Sequence, residues 1–138
     1  LRPGSVLPVG GPRNNFPLTL AEEYLFVAGG IGITALLPMI RAVEARGVPW
    51  TLAYCGRTRS AMPFLGELAA HGDRVELFVR DEGGRLDVTT RLSGVTASGT
   101  AVYCCGPERM LDAVEREGAR LCLRVQLEHF TGVEALRE

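Results

Sequence analysis

The run YLFVA (24–28) passes without interruption into GGIGIT (29–34), and this junction constrains the chain more than any other feature. A continuous apolar run is what a strand covered on both faces requires, as in a parallel sheet flanked by helices. Glycines directly after such a strand describe a tight turn into a helix. The segment ALLPMIRAVEARG (35–47) supplies that helix, placing Leu36, Leu37, Ile40, Val43 and the aliphatic stem of Arg46 on one stripe with Gly47 as the stop signal. Pro38 is expected within about the first turn, where a helix tolerates proline.

The alternation then repeats. WTLAYC (50–55) reads as a second strand, MPFLGELAAHG (62–72) as a short helix closed by Gly72, VELFVR (75–80) as a third strand and DVTTRL (87–92) as a weak helical turn. AVYCC (101–105) is a fourth strand, PERMLDAVEREG (107–118) a helix opened by Pro107 and closed by Gly118, and CLRVQLEHF (122–130) a fifth strand. Strands and helices in strict alternation imply an α/β fold, a five-stranded parallel sheet with helices on both faces. The first eighteen residues stand outside this pattern: four prolines in LRPGSVLPVGGPRNNFPL suggest a terminal strand of something else followed by a turn. TGVEALRE at the other end has no core pattern and reads as a linker remnant.

With 138 residues, 46% apolar and 22% charged, the chain has the size and composition of one globular domain. A net charge of −1 with both signs scattered gives no footprint for nucleic acid. No apolar run nears the roughly 20 residues of a membrane span, and the start lacks the marks of a signal peptide, so no membrane partner is expected and the expected compartment is cytoplasmic. Four cysteines, Cys55, Cys104, Cys105 and Cys122, join only two histidines, and none has C-x-x-C spacing, so no metal site is expected. Neighbours at a strand end point to opposite faces, which leaves Cys104 and Cys105 poorly placed to bridge. Cys55, Cys104 and Cys122 read as small core residues, Trp50 and Phe64 as packing residues, and neither His71 nor His129 as a general base.

Gly30 to Ala35 fits the letters G-x-G-x-x-G/A and sits between a strand and a helix, where that fingerprint lets backbone N–H groups approach a phosphate. The fingerprint also asks for an acid about 20 residues later. Tyr54-Cys55-Gly56-Arg57 occupies that place, and Thr34, capping the helix, is expected to matter more than Ala35. An acidic pair does follow the third strand, in Arg80-Asp81-Glu82-Gly83-Gly84, at the edge where such sheets bind ligands. A carboxylate there would accept hydrogen bonds from ribose hydroxyls and repel a 2′-phosphate, whereas Arg57 and Arg59 would bind that phosphate as bidentate donors. A β–α turn without a ligand is the plain alternative.

Four motifs now stand in one order: GPRNNFPL (11–18), AGGIGIT (28–34), YCGRTRSAMPFL (54–65) and YCCGPERML (103–111). Together, over roughly residues 5 to 130, they resemble the nicotinamide-binding, Rossmann-like domain of ferredoxin-reductase-like flavoproteins, above all the phthalate dioxygenase reductase and vanillate demethylase reductase group. In that group a flavin-binding β-barrel precedes this domain and a plant-type 2Fe-2S ferredoxin domain follows it. The resemblance therefore implies a last barrel strand with its connector at 1–18, an NAD(P)-binding domain at 19–130 and a linker remnant at 131–138.

The resemblance also implies roles. Gly29, Gly30, Gly32, Ile33 and Thr34 would cradle the pyrophosphate and border the nicotinamide. Cys105 would lie beside the nicotinamide ring, with Gly106 and Pro107 shaping the turn and Glu108 and Met110 completing the motif. Phe130 would pack over the flavin, and Asp81, with Arg57 and Arg59 nearby, would favour NADH over NADPH. Cys105, Thr34 and Phe130 are thus the expected residues at the reacting centre.

The implied activity passes hydride from NADH to FMN and then single electrons to a 2Fe-2S centre and a terminal oxygenase. The chain carries neither the Arg-x-Tyr-Ser flavin motif nor the C-x4-C-x2-C cluster motif, so partner domains of a full-length protein are expected, and the isolated chain is expected to be inactive as a reductase. A non-catalytic dinucleotide sensor or scaffold module is the alternative from another class. A self-contained enzyme such as a methyltransferase is disfavoured by the lack of a candidate catalytic acid.

Overall fold

The computed structural model describes residues 18, 20–95 and 99–128. The barrel strand expected within 1–18, apart from Leu18, lies outside the described residues, as do His129, Phe130 and the 131–138 tail. Five strands form one sheet: β1 (Glu23–Gly29), β2 (Trp50–Gly56), β3 (Val75–Val79), β4 (Thr100–Cys105) and β5 (Arg124–Glu128). Among the described residues four α-helices alternate with them: α1 (Ile33–Arg46), α2 (Leu65–Ala69), α3 (Val88–Ser93) and α4 (Glu108–Arg120). The strand order is β3-β2-β1-β4-β5 with every neighbouring pair parallel, so the α/β reading with a Rossmann-like parallel sheet holds.

The register explains why β1 is apolar throughout. Its residues lie between two strands, Tyr24 opposite both Trp50 and Ala101 and Ala28 opposite both Tyr54 and Cys105. Alternate side chains then enter two separate cores. Tyr24, Phe26 and Ala28 pack with Leu36, Leu37, Ile40 and Val43 of α1 and with Leu68 of α2. Leu25 and Val27 face the other way, against Leu92 of α3 and Leu111 and Val114 of α4. Each large apolar side chain so covered contributes about 2 kcal/mol. Under α1 an aromatic group adds directional contacts, with Phe26 stacked on Tyr24 at 5.9 Å, tilted to Tyr103 at 5.8 Å and edge-on to Trp50 at 6.4 Å.

Three local expectations are corrected. The helix α1 starts at Ile33 rather than after Thr34, which puts Pro38 inside it and beyond its first turn. Proline has no N–H to donate to the carbonyl four residues back, so α1 forgoes one bond there, and the buried stripe that includes Leu36, Leu37 and Ile40 holds the helix in place. Cys122 is not a core residue: it is exposed and sits at φ 60° in the turn ahead of β5, which begins only at Arg124. Phe64 is not a packing residue either, because 43% of it is exposed.

Candidate functional site at the carboxyl edge of the sheet

The chain visits β1, β2 and β3 toward one side and then crosses back to β4 and β5 on the other. The reversal falls between β1 and β4, and at such a switch point the loops leaving the two strands part and open a crevice at their carboxyl ends. The loops that border it are the glycine turn after β1 and Cys105-Gly106-Pro107 after β4.

These two loops are seated backbone against backbone. A Cβ on Gly32 would overlap the Cys105 carbonyl oxygen and lie 2.6 Å from its carbon. One on Gly29 would lie 2.7 Å from Pro107 Cδ and 3.0 Å from Met110 Cε, and one on Gly106 would lie 2.9 Å from Met110 Sδ and 3.1 Å from the Gly29 nitrogen. Gly32 thus allows a contact no side chain would permit, while Gly29 and Gly106 keep the neighbouring approach tight. Gly30 serves a different purpose, because its φ of 58° turns the chain and nothing stands within 4 Å of where its Cβ would be. The open space beside the Gly30 backbone lies one turn ahead of a 14-residue helix, α1, whose positive dipole end points toward it.

Thr34 does not cap that helix. The N-cap is Gly32, which offers no side-chain acceptor, and the Thr34 hydroxyl instead donates back to the Ile31 carbonyl at 2.8 Å. The first N–H groups of α1 therefore meet no capping side chain, and the exposed hydroxyl of Thr34 stays beside them. Ile33 is buried in the α1-side core, and its amide donates to the Gly30 and Ile31 carbonyls within the turn. On the β4 side, Pro107 is the N-cap of α4, and its carbonyl accepts from the Met110 and Leu111 amides at 2.9 and 3.1 Å. Glu108 lies exposed in the first turn of α4.

Cys104 and Cys105 part as the strand geometry demands. Cys105 enters the core beneath α1 and Cys104 the core beneath α3 and α4, both fully buried and both free thiols. Burial pushes the Cys105 thiol up to about 12, with the Glu128 carboxylate adding to the effect, and burial alone pushes half-buried Cys55 up to about 12. Burial raises Cys104 further still. All three stay neutral thiols near pH 7. Among the described residues no three His, Cys, Asp or Glu side chains group as metal ligands, and no helix is long and apolar enough to cross a membrane.

A second cluster lies at the ends of β2 and β3. The Asp81 amide donates to the Arg57 carbonyl at 3.0 Å, joining the two loops through their backbones. Above that joint Arg59 grips Glu82 with both arms of its fork, Nε to Oε2 at 2.7 Å and Nη2 to Oε1 at 3.0 Å. The Arg59 guanidinium holds the Glu82 carboxyl below the usual carboxylate range. Asp81 and Arg57 are exposed beside this pair.

Phe64 borders the same edge in an unusual backbone state. Its φ of 68° is left-handed, a conformation that costs a bulky L-residue about 1–2 kcal/mol. The surrounding loop enforces it: the buried Tyr54 hydroxyl donates to the Pro63 carbonyl at 2.9 Å, and the Phe64 carbonyl begins α2 by accepting from the Leu68 amide at 3.0 Å. Sequence reasoning missed both Phe64 and Glu82. No periodicity marks a single strained aromatic residue, and only the acidic pair Asp81-Glu82 hinted at the second.

Comparison with known proteins finds relatives over most of the chain. The chain is 43% identical over 136 residues to the phenoxybenzoate dioxygenase subunit beta of Ectopseudomonas oleovorans, covering 97% of this chain and 43% of that protein. It is 40% identical over 116 residues to the phthalate 4,5-dioxygenase oxygenase reductase subunit of Pseudomonas putida, covering 80% of this chain and 36% of that one. Full-length CYP116B46 from Tepidiphilus thermophilus superposes with a TM-score of 0.82 at 42% identity, over 88% of this chain and 16% of that one. The chain is thus homologous, over most of its length, to a segment of oxygenase reductase subunits. No protein-family model matches it. It spans less than half the length of either curated relative.

Proposed function

We propose that the chain is the nicotinamide-dinucleotide-binding domain of an oxygenase reductase, with NADH as its preferred dinucleotide. The carrying observation is the backbone seating of Gly32 on Cys105-Gly106 at the switch point, in a chain 43% identical to a dioxygenase subunit of this group. When bound, the dinucleotide supplies a hydride to FMN, from which single electrons pass to a 2Fe-2S centre and a terminal oxygenase, the flavin and cluster being held by other domains of the full-length protein.

The chain's own groups account for the binding. Gly29, Gly30, Gly32 and the backbone of Ile33 form a cradle without side chains at the dipole end of α1, suited to a pyrophosphate. Thr34 adds a hydroxyl beside it. Cys105 is a neutral, buried thiol that fixes the floor between the two loops and repels no hydride donor, while Gly106, Pro107, Glu108 and Met110 shape the wall from α4. Toward β3, Asp81 offers a carboxylate to ribose hydroxyls, and the exposed ring of Phe64 offers a flat apolar face to adenine. Hydride transfer needs orientation and exclusion of water more than a protein base, which suits a site whose titratable thiols are locked neutral.

Calorimetric titration of the 138-residue chain with NADH and NADPH tests this reading. Binding of NADH, weakened by Gly32→Ala, is expected. A chain that binds neither dinucleotide overturns it.

A further inference from the structure

We propose that Glu82 sets the dinucleotide preference of this edge by occupying the Arg59 guanidinium, so that the positive group best placed to meet a 2′-phosphate is already engaged within the protein. The inference deepens the proposed function and rests on its reading that the loops after β2 and β3 receive the adenosine ribose. A guanidinium recognises a phosphate through two parallel N–H donors. In Arg59 the Nε and Nη2 donors both go to one carboxylate, at 2.7 and 3.0 Å. A 2′-phosphate arriving at Arg59 finds that fork engaged by the Glu82 carboxylate, with Asp81 adjacent in the same turn, which leaves the exposed Arg57 to meet it. A 2′-hydroxyl needs only an acceptor, and both carboxylates supply one.

The pairing is built into the loops. The Asp81–Arg57 backbone bond at 3.0 Å ties the turn Arg80–Glu82 to the loop that carries Arg59. Gly83, at φ 88°, ends the turn, and Gly84 returns its amide to the Val79 carbonyl at 2.9 Å, anchoring Glu82 to the end of β3. Both side chains remain about half exposed, at 54% for Arg59 and 46% for Glu82. Exposed pairs contribute little to folding, so the pair can be opened without disturbing the sheet, and its effect falls on what binds.

The test compares the 138-residue chain with Glu82→Gln and with Glu82→Gln/Arg59→Gln, each titrated calorimetrically with NADH and NADPH at low ionic strength. Release of the fork is expected to raise the ratio of NADPH to NADH affinity about tenfold in Glu82→Gln, the scale of one charge-assisted bidentate contact. The double variant is expected to return the ratio to the wild-type value. If the wild-type chain binds NADH and Glu82→Gln leaves the ratio unmoved, or the gain survives Arg59→Gln, the inference is overturned while the reading of the site stands. If the wild-type chain binds neither dinucleotide, the reading itself falls and the inference with it.

Discussion

Gly32 sits directly against the Cys105 carbonyl, close enough that a Cβ at position 32 would lie 2.6 Å from the carbonyl carbon and overlap its oxygen. The obstacle is backbone, at the end of a central strand, and cannot rotate away. Gly32→Ala is therefore expected to lower stability by about 3 kcal/mol, the upper range for overpacking a tight contact, and to weaken dinucleotide binding by forcing the two loops apart. Gly30→Ala is the control. Its backbone is left-handed but nothing crowds it, so only the conformational term of about 1 kcal/mol applies. Urea denaturation of both variants checks the order. Equal losses would mean that the loops part easily.

Phe64 gives two effects of opposite sign. Glycine at this left-handed position removes a steric penalty, so Phe64→Gly should fold at least as stably as the parent chain, a gain of up to about 1 kcal/mol. The same change removes an exposed aromatic face. If adenine rests on that face, NADH affinity should fall about tenfold, within the range measured for one base stacked on one ring. Thermal denaturation together with titration separates the two. A variant that binds NADH as tightly as the parent would assign Phe64 to something other than adenine.

The order of elements was legible because each one carries a long signal. A strand covered on both faces must be apolar throughout, as β1 is, and a helix packed on one side must repeat its apolar positions, as Leu36, Leu37, Ile40 and Val43 do. The loops of the site were legible for a related reason, since glycines that cannot tolerate a Cβ leave a mark in the chain. What escaped were features set through space or by a single torsion. The grip of Arg59 on Glu82 joins residues 23 apart on two loops, each containing only a three-residue 3-10 turn with no periodicity to read. Cys122 resembled the start of an apolar strand, yet its left-handed backbone leaves it in the preceding turn. Thr34 was read as a cap because its residue type favours caps, but the helix begins two residues earlier, at Ile33, and the hydroxyl bonds backward to Ile31.

The four thiols should separate by exposure. Alkylation with iodoacetamide at pH 8, read by peptide mass spectrometry, is expected to modify Cys122 first, Cys55 slowly, and Cys104 and Cys105 only on unfolding. Fast labelling of Cys105 in the folded chain would show that its pocket opens readily.

Those buried thiols also set an alkaline limit. Folding holds Cys55 and Cys105 protonated up to about pH 12, whereas an unfolded chain loses these protons near pH 9. Their contribution to stability is thus complete below about pH 9 and declines as pH rises from there toward 12, because the unfolded state alone gains the thiolate. Urea midpoints at pH 8, 9, 10 and 11 should fall steadily. In Cys55→Ala/Cys105→Ala the decline over this range should be shallower, whatever the starting stability. An identical slope would place the alkaline sensitivity elsewhere, with buried Cys104 and then Tyr54 the next groups whose protons burial retains.

Cys105 should matter to rate more than to affinity. Its side chain is fully buried beneath α1, and what it offers the crevice is the backbone on which Gly32 is seated. Cys105→Ala removes a sulfur from that floor without adding bulk, so the two loops can relax toward the vacated space by a fraction of an ångström. Pyrophosphate binding depends on amides spread over several residues and should change less than threefold. On the proposed function hydride transfer depends on alignment at one carbon, and small displacements there are costly, so flavin reduction in the full-length protein should slow about tenfold. Stopped-flow reduction over a range of NADH concentrations separates the limiting rate from the half-saturating concentration. A shift in half-saturation with an unchanged limiting rate would make Cys105 a binding element, and no change in either would make it core packing alone.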